Sequence, residues 1–356
     1  MSLPGTVPRE PTAGCDRRTL AGVLVGDAVA AAGRWVREEG ARLPGFGGAF
    51  LTGSALWARA GDRLPPDSDV DVMVVLDAPE GRGRKLRYEG VVLEVSYLAA
   101  AQVASADEVL GHYHLAGAFH RPQILADPGG TLSRLAREVS ARFGDRERVL
   151  ARCDHALETA RARLAGVDAP ETLPDQVNAW LFGTGATAHV LLVAALRNPT
   201  VRRRYAATRD LLHARGLPEQ QEHLLGLLGC AAMTRGRVLR HLGGLTLLFD
   251  TAKRVSAPGY PFDSDITDLA RPIAIDGTRA LVDAGLHREA VFWLAATYVR
   301  CLLKLSAVGR PAPADGLLDL LADLGADTAA GRRARADAVL AALPSLRATA
   351  EHLAPR

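Results

Sequence analysis

Cysteine is scarce and scattered. The four residues Cys15, Cys153, Cys230 and Cys301 form no CxxC pair and no metal-like cluster. That excludes a thiolate metal site and a disulfide framework from the expectation, and leaves free thiols in a reducing compartment. Lysine is scarcer still, standing only at 85, 253 and 304, with arginine carrying the rest of the positive charge. Beside the abundant Ala, Gly and Leu, this bias reads as coding composition rather than function. The formal net charge is only +3, and no segment gathers enough cations for a strong non-specific grip on nucleic acid. Apolar stretches such as Val190–Leu196 fall short of a membrane span. Met1–Thr12 has no apolar signal core. A soluble cytoplasmic protein without a membrane partner is expected.

What is present is an ordinary globular composition, 48% hydrophobic and 23% charged over 356 residues. That length exceeds one ordinary domain, so two are expected. Residues 1–16 read as a loose lead-in. Residues 17–145 mix short strands and helices around a small mixed sheet, and 146–356 read as a mostly α-helical domain. The fold class expected is α+β. In the first domain the periodicity predicts a helix over Arg18–Arg42, broken by Gly45–Gly48. Strands are predicted at Ala49–Thr52, Val70–Leu76, Lys85–Glu89, Val91–Tyr97 and Pro122–Ala126, and helices at Ala99–Leu110 and Thr131–Phe143. The second domain reads as helices over 145–165, 175–196, 200–215, 218–230, 233–253, 277–284, 287–307, 314–323 and 328–352, punctuated by prolines.

The chemistry gathers at Asp69-Val70-Asp71. Acids two apart at the start of a strand point to the same face. Side by side on a buried strand they repel one another and lose hydration. A divalent cation removes that cost, and oxygen-only ligation suits Mg²⁺. Glu94 is a lone acid inside the apolar run Val91–Tyr97, where an acid is disfavoured unless something pairs with it. If its strand neighbours that of Asp69 and Asp71, the three carboxylates can hold two metals for in-line displacement at phosphorus. Glu94 can also act as general base. Facing solvent on an edge strand, it would do neither. Gly53-Ser54 lies between a strand and a short helix. There glycine allows close approach of a phosphate, and the serine hydroxyl adds a donor.

In this order, Phe50-Leu51-Thr52-Gly53-Ser54, Asp67-Ser68-Asp69-Val70-Asp71 and Leu93-Glu94-Val95 resemble the nucleotidyltransferase superfamily of DNA polymerase beta-like fold. The style is that of the aminoglycoside and minimal nucleotidyltransferases. The strand ending in Asp127-Pro128-Gly129 adds to the likeness, which spans roughly residues 17–145. The loop between Ser54 and Asp69 is somewhat longer than the family pattern. The resemblance implies transfer of a nucleoside monophosphate from an NTP, ATP first, with two Mg²⁺ ions. It gives Asp69, Asp71 and Glu94 the metals and the catalysis, and Gly53 and Ser54 the triphosphate. The acceptor expected is a hydroxyl of a small molecule, aminoglycoside-like or another natural-product sugar. The alternatives are nucleotidylation of a protein or tRNA, and a non-catalytic nucleotide-binding module.

In the helical half, Thr200 reads as the cap of a helix that opens with Arg202-Arg203-Arg204. Three cations there oppose the helix dipole and would be relieved by an anion. Arg202 is therefore a candidate contact to the nucleotide, and Lys253, at the end of another helix, is a second. The loop Tyr260–Asp268 is aromatic and acidic. It is either a capping loop or a cradle for a cationic acceptor. His112, His114 and His120 show no metal spacing and are expected at a surface or interface. Trp180, Phe182, Phe292, Trp293 and Tyr298 are expected in the core.

Overall fold

The computed structural model describes residues 22–169 and 171–356. The expected lead-in over 1–16 lies outside them, as does the start of the helix predicted from Arg18. The fold is α+β. Its first half comprises α1 (Val25–Glu38), β1 (Phe46–Thr52), α2 (Gly53–Trp57), β2 (Val70–Leu76), β3 (Gly83–Tyr88), β4 (Val91–Ala99), α3 (Ala106–Gly111), β5 (Ile124–Ala126) and α4 (Thr131–Arg142). The five strands are ordered β3-β4-β2-β1-β5. The β2–β4 pairing is parallel, and the pairs β1–β2, β3–β4 and β1–β5 are antiparallel.

Alternation along the strands sorts the residues between two cores. Leu51, Val70, Val72, Val74, Leu93 and Val95 pack with the Ala28, Ala31, Ala32, Trp35 and Val36 face of α1. Phe50, Val75 and Leu98 pack on the other side with Phe119 and with Leu132, Leu135 and Val139 of α4. The second face carries the acids, at the start of β2.

Three boundaries differ from the sequence expectation. α1 begins at Val25, because Leu24 bridges to Arg63, and the Val25 and Gly26 amides donate to the carbonyls of Asp62 and Ala60. Phe46–Gly48 belong to β1 rather than breaking the chain. Gly48 is there because a Cβ would meet Leu132 Cδ1 at 2.7 Å and the Ala126 carbonyl at 2.8 Å. The helix expected over Ala99–Leu110 is two pieces, a 3₁₀ turn at Ala100–Val103 and α3. Ser105 caps α3 by accepting from the Glu108 amide.

The second half continues with α5 (Arg146–Ala165), α6 (Leu173–Ala194), α7 (Arg204–Ala214), α8 (Pro218–Leu228), α9 (Arg235–Ala252), α10 (Gly277–Asp283), α11 (Val291–Ala307), α12 (Asp315–Leu324) and α13 (Ala329–Leu353). One hydrophobic core joins them, with Trp180, Phe292, Trp293 and Tyr298 inside it. α6 is long and apolar enough to cross a membrane by length and composition, a property that the short run Val190–Leu196 does not reveal. Yet 83% of its most apolar window is buried in the fold, which makes it the central helix of this core. α7 starts at Arg204, not Thr200. The Thr200 carbonyl instead lies 3.0 Å from the His189 ring, and no side chain among the described residues caps α7. Pro199 and the turn after it hold Arg202 and Arg203 outside the helix.

Candidate active site

The sheet register builds the site. Thr52 pairs with Asp71, Asp71 with Glu94, and Glu94 with Lys85, so one row crosses β1, β2, β4 and β3. Residues directly opposite one another share a face. Asp69 precedes Asp71 by two and shares it too. Ligand oxygens of Asp69, Asp71 and Glu94 accordingly lie within 4.8 Å of one another and could hold a metal ion. Glu94 faces the other acids, with 36% of its side chain exposed.

Gly53 directly follows the residue opposite Asp71. Its φ is +66°, and a Cβ there would overlap Asp71 Oδ2, so the turn from β1 into α2 requires glycine for this acid as much as for any ligand. Ser54 is exposed, with its hydroxyl 3.4 Å from that of Ser68 in the loop before Asp69.

The electrostatics separate the three acids. Burial opposes ionisation of Asp69, but the charge and hydrogen bond of Lys85 outweigh it and hold the carboxyl below its usual range. Asp71 is pushed well above that range, first by burial and then by the charges of Asp69 and Glu94. Among the described residues it joins none of the ion pairs that surround it. Burial lifts Glu94 to about 7, with Lys85 opposing and Asp69 reinforcing the rise. The donor set therefore fits a hard divalent cation: oxygen ligands only, at close quarters, with one carboxylate whose ionisation burial and its acid neighbours oppose more strongly than Lys85 favours it.

Sequence reasoning did not single out Lys85. Its side chain is 7% exposed, with Nζ 2.6 Å from Asp69 Oδ2, in contact with Glu94 Oε2, and 3.5 Å from Asp265 Oδ1. Asp265 comes from the helical half, and its other oxygen lies 2.8 Å from Arg300. The Arg300 guanidinium lies 4.4 Å from the Phe262 ring and 4.8 Å from that of Trp293, while Arg82 lies on Phe262 at 4.5 Å. Glu94, Arg82, Ser96, Phe262 and Asp265 line a narrow cleft between the sheet edge and the Tyr260–Asp268 loop. The signal in the sequence was the rarity of lysine. Each of the three lysines pairs with a different aspartate of that loop: Lys85 with Asp265, Lys304 with Asp263 and Lys253 with Asp268. The loop is neither a simple cap nor an open cradle for a cation, because its acids are already matched.

The two helical-half candidates are placed differently. Lys253 lies 3.1 Å from Asp250 and 2.7 Å from Asp268, and is not among the residues around the acids. Arg202 reaches the loop just before the acids, with Nη1 2.9 Å from Asp67 Oδ2 and Nη2 donating to the Asp67 carbonyl at 2.9 Å. Gly277 makes room for this clamp, since a Cβ there would overlap Arg202 and stand 2.7 Å from Asp67 Oδ2. The arginine run does not act as one patch. Arg202 is paired, Arg203 is exposed, and Arg204 is buried with its guanidinium 4.0 Å from the Phe292 ring.

No family model matches the chain, and no curated protein matches it in sequence. Among solved structures, it is similar to the crystal structure of a nucleotidyltransferase-like protein from Exiguobacterium sibiricum 255-15. The identity is 15% and the TM-score 0.29, over 72% of this chain and 92% of that one. A likeness so slight carries no argument, and the functional reading rests on the geometry of the acids.

Proposed function

We propose that this protein is a Mg²⁺-dependent nucleotidyltransferase, moving a nucleoside monophosphate from an NTP to a hydroxyl of a small molecule. The observation that carries this reading is the row across the sheet, which sets Asp69, Asp71 and Glu94 within 4.8 Å of one another beside Gly53-Ser54. Asp69 and Asp71 would hold the ion. Mg²⁺, when bound, supplies the positive charge that offsets the charge developing on the phosphoryl oxygens. Ser54, exposed next to the acids, donates to the triphosphate. Glu94, lifted to about 7, takes the proton of the acceptor hydroxyl near neutral pH, where a base of that strength is most effective. The acceptor oxygen forms a bond to the α-phosphorus as the bond to the β-phosphate oxygen breaks, and pyrophosphate leaves.

The Tyr260–Asp268 loop narrows the approach to Glu94, which favours a small acceptor over a macromolecule. Among the described residues the run Arg202–Arg204 forms no joint patch that would favour nucleic acid. A natural-product sugar is the first acceptor class to test, and ATP the first nucleotide, in the cytoplasm. Pyrophosphate release is measured with purified protein, Mg²⁺ and each NTP, with and without candidate acceptors. Release that needs an acceptor and is lost in Asp71→Asn supports the proposal. Absence of nucleotide binding, or release unchanged in both Asp69→Asn and Asp71→Asn, sinks it.

A further inference from the structure

Two metals on three carboxylates need oxygens from all three acids. In this site a cation built into the chain already takes two of them. Lys85 is the direct cross-strand partner of Glu94, so its side chain rises on the acid face from a neighbouring strand. Its ammonium lies between Asp69 Oδ2, at 2.6 Å, and Glu94 Oε2. A divalent ion bridging those oxygens at roughly 2.1 Å would fall on the ammonium itself.

The ammonium also has little freedom to leave. Only 7% of the side chain is exposed, and Asp265 closes the side towards the helical half. Asp265 is in turn fixed by Arg300, which is held between the Phe262 and Trp293 rings. Charge argues the same way. Asp265 and Arg300 cancel, and three carboxylates with one ammonium leave two negative charges, which a single divalent ion neutralises. Asp71, with no ion pair among the described residues, and the second oxygen of Asp69 are the ligands left over.

We propose that Lys85 fills the second cation position, so that the protein binds one divalent ion, at Asp69 and Asp71, where three such carboxylates would otherwise take two. Lys85 is on this view a positioning residue: its fixed charge offsets the repulsion between Glu94 and Asp69 and ties them to Asp265 of the helical half. The inference rests on the nucleotidyltransferase reading of the acids, but it concerns the number of ions rather than the reaction.

The test is a count. Mn²⁺ is titrated into the full-length protein in the presence of a non-hydrolysable NTP analogue, and free Mn²⁺ is followed by electron paramagnetic resonance. Wild type and Lys85→Arg should each saturate at one ion in the protein's own site, after subtraction of the ion that the analogue binds in solution. Lys85→Met, of similar length without charge, should gain a second ion, with the line broadening of a close Mn²⁺ pair. Two site ions in wild type, or in Lys85→Arg should Lys85→Met fail to fold, would overturn the proposal and leave the transferase reading standing. No Mn²⁺ bound by wild type with the analogue present would remove both.

Discussion

Gly53 lies so close against Asp71 that a single methyl group on it would overlap the carboxylate, and its φ of +66° is one that side chains resist. Gly53→Ala should therefore cost about 1–2 kcal/mol from the backbone alone and displace Asp71 from the other acids. Mn²⁺ affinity and pyrophosphate release should both fall at least tenfold. Ser54→Ala, which alters only an exposed hydroxyl, should leave stability unchanged and weaken nucleotide binding alone. Equal losses in the two variants would count against this division of roles.

Burial and two like charges oppose the ionisation of Asp71. Removing its charge should stabilise the protein without divalent ions by about 1–2 kcal/mol, even as activity falls roughly a thousandfold or more. The measurement is thermal unfolding of wild type and Asp71→Asn, each with and without Mg²⁺. Wild type should be the less stable without the ion and the more strongly stabilised by it. A lower melting temperature for Asp71→Asn under both conditions would contradict the electrostatic account.

The Arg202–Asp67 clamp joins the helical half to the loop before the acids. Its side chains are 14% and 18% exposed, between a surface pair, worth under about 1 kcal/mol, and a buried one, where losing a partner costs about 3–5. Arg202→Ala should cost about 2 kcal/mol, and a double-mutant cycle with Asp67→Ala should return a coupling of about 1 kcal/mol. Nucleotide affinity should change alike in both variants. A weakening confined to Arg202→Ala would show that the arginine touches the nucleotide directly.

Stability should fall in mild acid for a reason separate from the carboxylates. His189 is buried, and its proton affinity is pushed well below the usual value by burial and then by Arg204 and His114. His114 is lowered to about 3, again by burial first and then by Arg204. Both rings are thus neutral in the folded protein and free to take a proton when it unfolds. Their contribution is complete above an unfolded value of about 6.5 and is lost as pH falls towards 3, by up to about 1.4 kcal/mol per pH unit for each ring. Urea unfolding at pH 7.5, 6 and 5 should show this slope, and His114→Gln should flatten it. An unchanged slope in that variant would mean that the ring titrates normally.

Much of this site was legible in the chain. Asp69, Asp71 and Glu94 stood out because acids are rare inside apolar strands, and the period of two already placed the first pair on one face. The order of Gly53-Ser54, the paired acids and the later acid also carried a resemblance. Three other features were hidden. Gly48 read as a break, although it lies inside β1 under Leu132. The arginine run read as the start of a helix, although the chain turns first. The lysines read as a by-product of composition, although each meets its own aspartate in one loop.

The reason lies in the range of the forces. Strand alternation, helix periodicity and the cost of a buried acid are local, and the sequence by itself determined them: which segments fold as what, and which side chains share a face. Whether Glu94 meets Asp71 or solvent depends on the parallel pairing of β2 with β4, a choice made by the packing of the whole sheet. The company that the acids keep is more remote still. Lys85 and Asp265 are 180 positions apart, and only the docking of the helical half on the sheet edge brings their charges within 3.5 Å. Coulombic pairing of that kind leaves no periodicity in the chain, so the tertiary structure alone decided it.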